Sequence, residues 1–228
     1  LVCEDGGFLQ IGETGIVGRA TTKILVVKTD SEGDLEWKQE FGSGNRNMGN
    51  SAIEVSDGYL VCGMLNRNSA ILKLDKSDGT LIFSRTRNNG GTDAYEHLAL
   101  HPNGLIMVGY TNAEDPNNTF FTEGRGYLGF HDSSGNWNSG KSLNDHISLA
   151  YRIKAVENNY YISGTTYSPS DTLTYAALKI DSSGEVLWSN QYGGSNQNHC
   201  FGMDVGLDGA IFLTGHTLSG TENWDTYT

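Results

Sequence analysis

Apolar residues in this chain come in short runs of β-branched and aromatic side chains, each closed by turn residues. None keeps a 3.6-residue period through three helical turns, so the pattern predicts strands throughout. Five runs share one form, a short strand ending in glycine: GGFLQIGET (6–14), DGYLVCGML (57–65), NGLIMVGYT (103–111), NNYYISGTT (158–166) and DGAIFLTGHT (208–217). Their terminal glycines, Gly12, Gly63, Gly109, Gly164 and Gly215, stand 51, 46, 55 and 51 residues apart. A sustained period of that length marks stacked supersecondary units.

A second signal has the same period. The phrases KTDSEGDLEW (28–37), KLDKSDGTLIF (73–83), FHDSSGNWN (130–138) and KIDSSGEVLW (179–188) each hold a D-x-x-G turn, Asp30–Gly33, Asp132–Gly135 and Asp181–Gly184, lengthened by one residue at Asp75–Gly79. Asp opens such a turn by accepting backbone N–H groups ahead of it, and Gly takes the positive-φ position that closes it. An aromatic follows at Trp37, Phe83 and Trp188, whereas the third copy departs with Trp137 closer to its turn. One further strand follows each D-x-x-G turn (DLEWKQEF, TLIFSRTR, EVLWSNQY), and another precedes each DG or NG turn (NSAIEVS, EHLALH, YRIKAVE, FGMDVGL). The result is four short strands per period.

Four strands repeated every 40–50 residues describe a β-propeller blade. The segments EDGGFLQIG, KTDSEGDLEW, KIDSSGEVLW and QYGGSNQN resemble the bacterial β-propeller repeat called SBBP, along the whole chain. That resemblance implies an all-β propeller of four-stranded antiparallel blades and says little about activity, because the repeat occurs on proteins with unrelated roles. The blades fall at about 1–43, 44–90, 91–143 and 144–194, with a partial fifth at 195–228, all within one propeller domain. The first opens inside its innermost strand and the fifth stops where its third strand forms. We therefore expect a portion of a larger propeller, of about seven blades by family resemblance.

Spacing also points to one working face. From each turn Asp to the next strand-ending Gly the distances are 33, 34, 32 and 34 residues, but from that Gly to the following Asp they are 18, 12, 23 and 17. Variation is thus confined to the connection between second and third strands, which in a propeller emerges beside the blade-to-blade links. Those links (GSGNRNMGN, TRNNGGTDA, KSLNDH, GGSNQNH) are polar and rich in Gly and Asn. Variable loops on a rigid scaffold are where binding concentrates. The candidate binding residues are Asn45, Arg46, Asn88, Asn89, Asn112, Asn144, Asp145, Asn196 and Gln197, with the loop 112–122 overhanging them.

Charge changes the picture little. The 228 residues carry a net −12, and the 15 Lys and Arg are scattered, which excludes a clustered nucleic-acid face. No apolar run approaches the roughly 20 residues of a membrane span. Cys3, Cys62 and Cys200 show no metal-ligand spacing and read as core thiols, with one disulfide the alternative in an oxidising compartment. Asn117–Thr119 is the single N-x-[ST] sequon. Glu114, Asp115 and Asn117 are oxygen donors of the kind Ca²⁺ takes, without EF-hand spacing; no other cofactor is implied. His97, His146 and His199 lie on or before innermost strands of three adjacent blades, but their unequal offsets from the following turn argue against a shared metal.

The D-x-x-G-x-x-x-W phrase resembles the Asp-box of sialidase propellers, a structural turn there, but the arginines have no recurrent spacing. Quinone-dependent dehydrogenase propellers share a blade Trp and Gly, but their repeat differs. No G-x-S-x-G elbow, P-loop or H-E-x-x-H occurs. The expected role is a non-catalytic module, secreted or on a cell surface, that binds a protein or glycan through its loop-rich face. The alternatives are an enzyme acting on polysaccharide from a central channel, or a structural part of a surface assembly joined through an open blade edge.

Overall fold

The computed structural model describes residues 1–15, 21–113, 124–169, 172–193, 196–206, 208–219 and 223–227, with the backbone alone at 219 and 223–227. Among them are 18 strands and no helix, in five antiparallel sheets. The first holds β1 (Phe8–Thr14), β2 (Lys23–Thr29) and β3 (Leu35–Phe41); the second β4 (Met48–Val55), β5 (Gly58–Leu65), β6 (Asn68–Leu74) and β7 (Leu81–Arg87). The third holds β8 (Thr92–His101), β9 (Gly104–Ala113), β10 (Arg125–His131) and β11 (Trp137–Ser142). The fourth holds β12 (Leu149–Val156), β13 (Asn159–Tyr167), β14 (Leu173–Asp181) and β15 (Val186–Tyr192). The last holds β16 (Asn198–Val205), β17 (Ile211–Ser219) and β18 (Asn223–Tyr227). Every sheet is ordered as the chain runs, so each is a meander of hairpins.

Both sequence signals have a backbone cause. In each D-x-x-G turn the Asp Oδ1 accepts N–H groups just ahead: from Glu32 and Asp34 at Asp30, Ser77 at Asp75, Ser134 and Asn136 at Asp132, and Ser183 and Glu185 at Asp181. Directly before each turn the pairing slips by one residue, at Lys28/Thr29, Lys73/Leu74, Phe130/His131 and Lys179/Ile180. The turn and its bulge are therefore one device, which the left-handed Gly closes. The strand-ending glycines answer to a second bulge, in the first strand of the sheet, at Gly49/Ser51, Ala150/Arg152 and Cys200/Gly202. A Cβ on Gly63 would stand 2.0 Å from the Met48 carbonyl oxygen, and Gly164 and Gly215 meet the same obstacle at Leu149 and His199. Only glycine lets the bulged backbone come so close.

The chain divides into two compact units, Leu1–Leu98 with Thr111–Phe121, and Ala99–Tyr110 with Thr122–Thr228. In the first, Leu9, Ile24, Val26 and Trp37 pack on Tyr59, Val61, Leu72 and Leu74. In the second, Ile106, Val108 and Leu128 pack on Ile153, Ile162, Leu178 and Ile180. Full burial of each such side chain is worth about 1.5–3 kcal/mol. β5 and β13 are covered on both faces: β5 reads as a near-continuous apolar run, while β13 also buries Ser163, Thr165 and Thr166. Cys3, Cys62 and Cys200 are buried free thiols.

Candidate functional site

The links enter each sheet at the end opposite the D-x-x-G turns, and one buried polar position organises that end. Two residues before the one that faces the strand-ending glycine stand Asn47, Ser148 and Asn198, and Asp93 has the same place in its phrase (NMGNS, DAYEH, SLAYR, NHCFG). Asn47 is fully buried. Its Nδ2 donates to the carbonyls of Thr22 (2.6 Å) and Asn45 (2.8 Å), and its Oδ1 accepts from the Asn66 N–H (2.8 Å). Asp93 is also fully buried, but its carboxylate accepts two N–H groups, from Asn89 (2.6 Å) and Asn112 (2.9 Å). Asn198 donates to the carbonyls of Asn196 (2.5 Å) and Leu173 (3.3 Å). Ser148, smaller, reaches only the Thr166 hydroxyl (3.3 Å). Each residue ties a link to the hairpin beside it: amides where a link presents carbonyls, a carboxylate where it presents N–H groups.

Several expected binding residues turn inward to this lattice. Asn45 Oδ1 accepts from the Arg46 N–H and from Arg67 Nε (3.0 Å). Arg46 is only 6% exposed. Asn89 Oδ1 accepts from Arg87 Nε (2.9 Å), and Gln197 Oε1 accepts from the Leu173 N–H (2.8 Å). Asn88, Asn112, Asn144, Asp145 and Asn196 are exposed. The positions 47, 93 and 198 were not singled out from sequence, although an N-x-N spacing, Asn45 to Asn47 and Asn196 to Asn198, was there to be read at two of them. Glu114, Asp115, Asn117 and the sequon lie outside the described residues.

Among the described residues no three His, Cys, Asp or Glu side chains are grouped to hold a metal. His146 Nδ1 contacts the Ser189 hydroxyl (2.9 Å), while His199 is buried against Phe201 and His216. Burial, then the neighbouring His216, pushes His199 down to about 4. Burial pushes the Cys200 thiol up to about 11, so it is no nucleophile near neutral pH. Burial also raises Asp93, against the two N–H groups that hold its charge. The turn carboxylates of Asp75, Asp132 and Asp181 are instead lowered by hydrogen bonds from Ser77, Asn136 and Ser183. Two clefts flank first strands. One, of about 580 Å³, is lined by Gln10, Ile11, Asn50, Ser51 and His97, and one of about 570 Å³ by Arg152, Asp204, Phe212 and Thr214.

No family model and no curated protein matches this chain. A solved structure does: quinohemoprotein alcohol dehydrogenase from Comamonas testosteroni, at 11% identity and a TM-score of 0.54, over 90% of this chain. The chain spans only 39% of that enzyme's length. At that identity the likeness carries the fold alone: an all-β, β-propeller-like fold of antiparallel sheets.

Proposed function

We propose that the protein is a non-catalytic propeller module, secreted or on a cell surface, that binds a glycan through the link-bearing ends of its sheets. The five sheets are then consecutive blades of a propeller of about seven, with the SBBP-like repeat as their common unit. The observation that carries this reading is the buried lattice of Asn47, Asp93 and Asn198. Within each unit it fixes a link from beneath, so the exposed Asn88 and Asn112 in the first and Asn196 in the second stand on preorganised links and ordering them costs little on binding. Amide groups offer both donors and acceptors to sugar hydroxyls. Support against a glycan-cleaving site comes from the described carboxylates. Glycoside cleavage needs an accessible acid with a raised pKa, and the raised one, Asp93, is fully buried with both oxygens occupied.

A glycan array probed with the labelled protein tests the reading. The triple variant N88A/N144A/N196A, which leaves Asn112 in its left-handed conformation (φ 53°), should lose the array signal and keep its unfolding midpoint. A signal unchanged in that variant would sink the assignment of the link-bearing end.

A further inference from the structure

The β5–β6 turn is two residues long, with Leu65 facing Asn68 across Asn66 and Arg67. Both turn residues have positive φ, 51° and 65°. A two-residue hairpin of this form prefers Asn then Gly, so Arg67 stands in a left-handed conformation that glycine would adopt without strain. It is held there on three sides. Its N–H donates to the Arg46 carbonyl (3.2 Å), its carbonyl accepts from the Asp93 N–H (2.9 Å), and its Nε donates to Asn45 Oδ1 (3.0 Å). Arg87, which ends β7 in the same sheet, repeats the last contact with Asn89 Oδ1 (2.9 Å). Asn89 in turn donates to Asp93, so the two arginines share one hydrogen-bonded network.

At Arg67 the guanidinium is oriented through Nε by a neutral amide oxygen, and its Nη edge can match a planar oxyanion, whereas the charge of Arg87 also acts on Asp93. The acid of the network, Asp93, is fully buried and gives each oxygen to a backbone N–H. In a chain of net charge −12 this is a place built for a negative ligand. The surroundings say which kind. Protein interfaces centre on large apolar anchors. Among the described residues of this unit the exposed ones, Leu1, Val2, Phe8, Leu35, Leu81 and Ile82, sit toward the D-x-x-G end of the sheets, away from the link end. Among the described residues beside the arginines, Asn66, Asn88 and Asn112 are exposed.

We infer that the link end of the second sheet receives the carboxylate of an acidic sugar, with Arg67 as the principal anion-binding residue and Arg87 flanking it. The inference rests on the glycan-binding reading and sharpens it to uronic-acid-type ligands. Titration calorimetry with α-1,4-linked trigalacturonate and its methyl ester tests it. The wild type should prefer the free acid by about tenfold or more, with affinity that falls as salt rises. Arg67→Gly is the informative variant: glycine suits the turn, so the unfolding midpoint should hold or rise while the preference for the acid vanishes. Equal binding of acid and ester, no binding of either, or a preference surviving in Arg67→Gly overturns the inference. So does equally tight binding of a poly-glutamate peptide, which would assign the site to acidic protein segments. Array binding that persists alongside such a result leaves the broader glycan reading standing.

Discussion

Exchanging the amide of Asn47 for a carboxylate tests whether the buried lattice is matched atom by atom. Asn47→Asp keeps size and shape, but it removes the two N–H···O bonds to the Thr22 and Asn45 carbonyls and points an oxygen at each. Only the Asn66 N–H still serves the side chain. A buried acceptor stripped of its donor costs about 1–3 kcal/mol; the Thr22 carbonyl is stripped, while the Asn45 carbonyl keeps the Thr22 N–H (3.2 Å), and the side chain itself has no solvent exposure. Adding an unpaired buried charge, we expect a loss of about 3–5 kcal/mol at neutral pH, against a typical total of about 5–15 kcal/mol. The reverse exchange, Asp93→Asn, sets an NH₂ group against the Asn89 or the Asn112 N–H and should cost about 1–3 kcal/mol.

The two variants should diverge with pH. The carboxyl that Asn47→Asp introduces would have a folded pKa raised by burial. Its deficit is full above that value and shrinks as pH falls through it, because the protonated acid can donate to one carbonyl again. Wild-type Asp93 is likewise raised above 3.8. The wild type therefore gains stability from Asp93 as pH falls through that window, and Asp93→Asn, lacking that gain, should fall further behind. Urea unfolding at several pH values with unchanged m-values reads both effects. An Asn47→Asp protein within about 1 kcal/mol of wild type at neutral pH would refute the reasoning, since that is less than one stranded carbonyl should cost.

Three further outcomes follow from the same geometry. Gly79→Ala should cost clearly more than Gly33→Ala: both glycines have positive φ, but a Cβ at 79 would stand 2.5 Å from the Trp37 ring, whereas at 33 nothing lies within 4 Å. Equal melting temperatures for the two variants would mean that the turn does not pack on Trp37. The double variant Asp5→Asn/Glu36→Gln leaves the buried Lys28 ammonium, now held by carboxylates at 2.7 and 2.6 Å, with the Thr29 carbonyl. It should lower the unfolding midpoint more than Glu40→Gln, which opens only exposed pairs with Lys23 and Lys38; a smaller effect would contradict the burial of Lys28. Acid should weaken the fold. Asp57, Asp75, Asp132, Asp181 and Asp204 are held below 3.8 by hydrogen bonds from Lys73, Ser77, Asn136, Ser183 and Lys154. Their contribution is present above 3.8 and lost as pH falls through the lowered values, so a midpoint that holds steady down to pH 2 would argue against it.

The turns and the links were not equally legible in the sequence, and the reason is physical. A D-x-x-G turn is local: Asp181 meets its partners at Ser183 and Glu185, so sequence distance is spatial distance and the phrase recurs intact. The strand-ending glycine was equally visible, although its cause, the Met48 carbonyl pressed against Gly63, is a contact between strands. The lattice beneath the links is different. Asn47 bonds to Thr22, 25 residues back, and to Asn66, 19 residues on. Its place in the repeat is filled by Asn, Asp, Ser and Asn in turn, because what must be matched is whichever backbone group the neighbouring link presents. A residue that varies to suit its partner leaves no recurring letter. The same argument explains why Asn45, Asn89 and Gln197 looked like surface amides. Gly- and Asn-rich composition marks a link, but composition alone does not distinguish an amide that faces solvent from one that fixes an arginine. Arg67 is the sharpest instance. From sequence it was one arginine among seven without a pattern, and only the left-handed turn and the Asn45 contact turn it into the most chemically specific group on that end of the sheet.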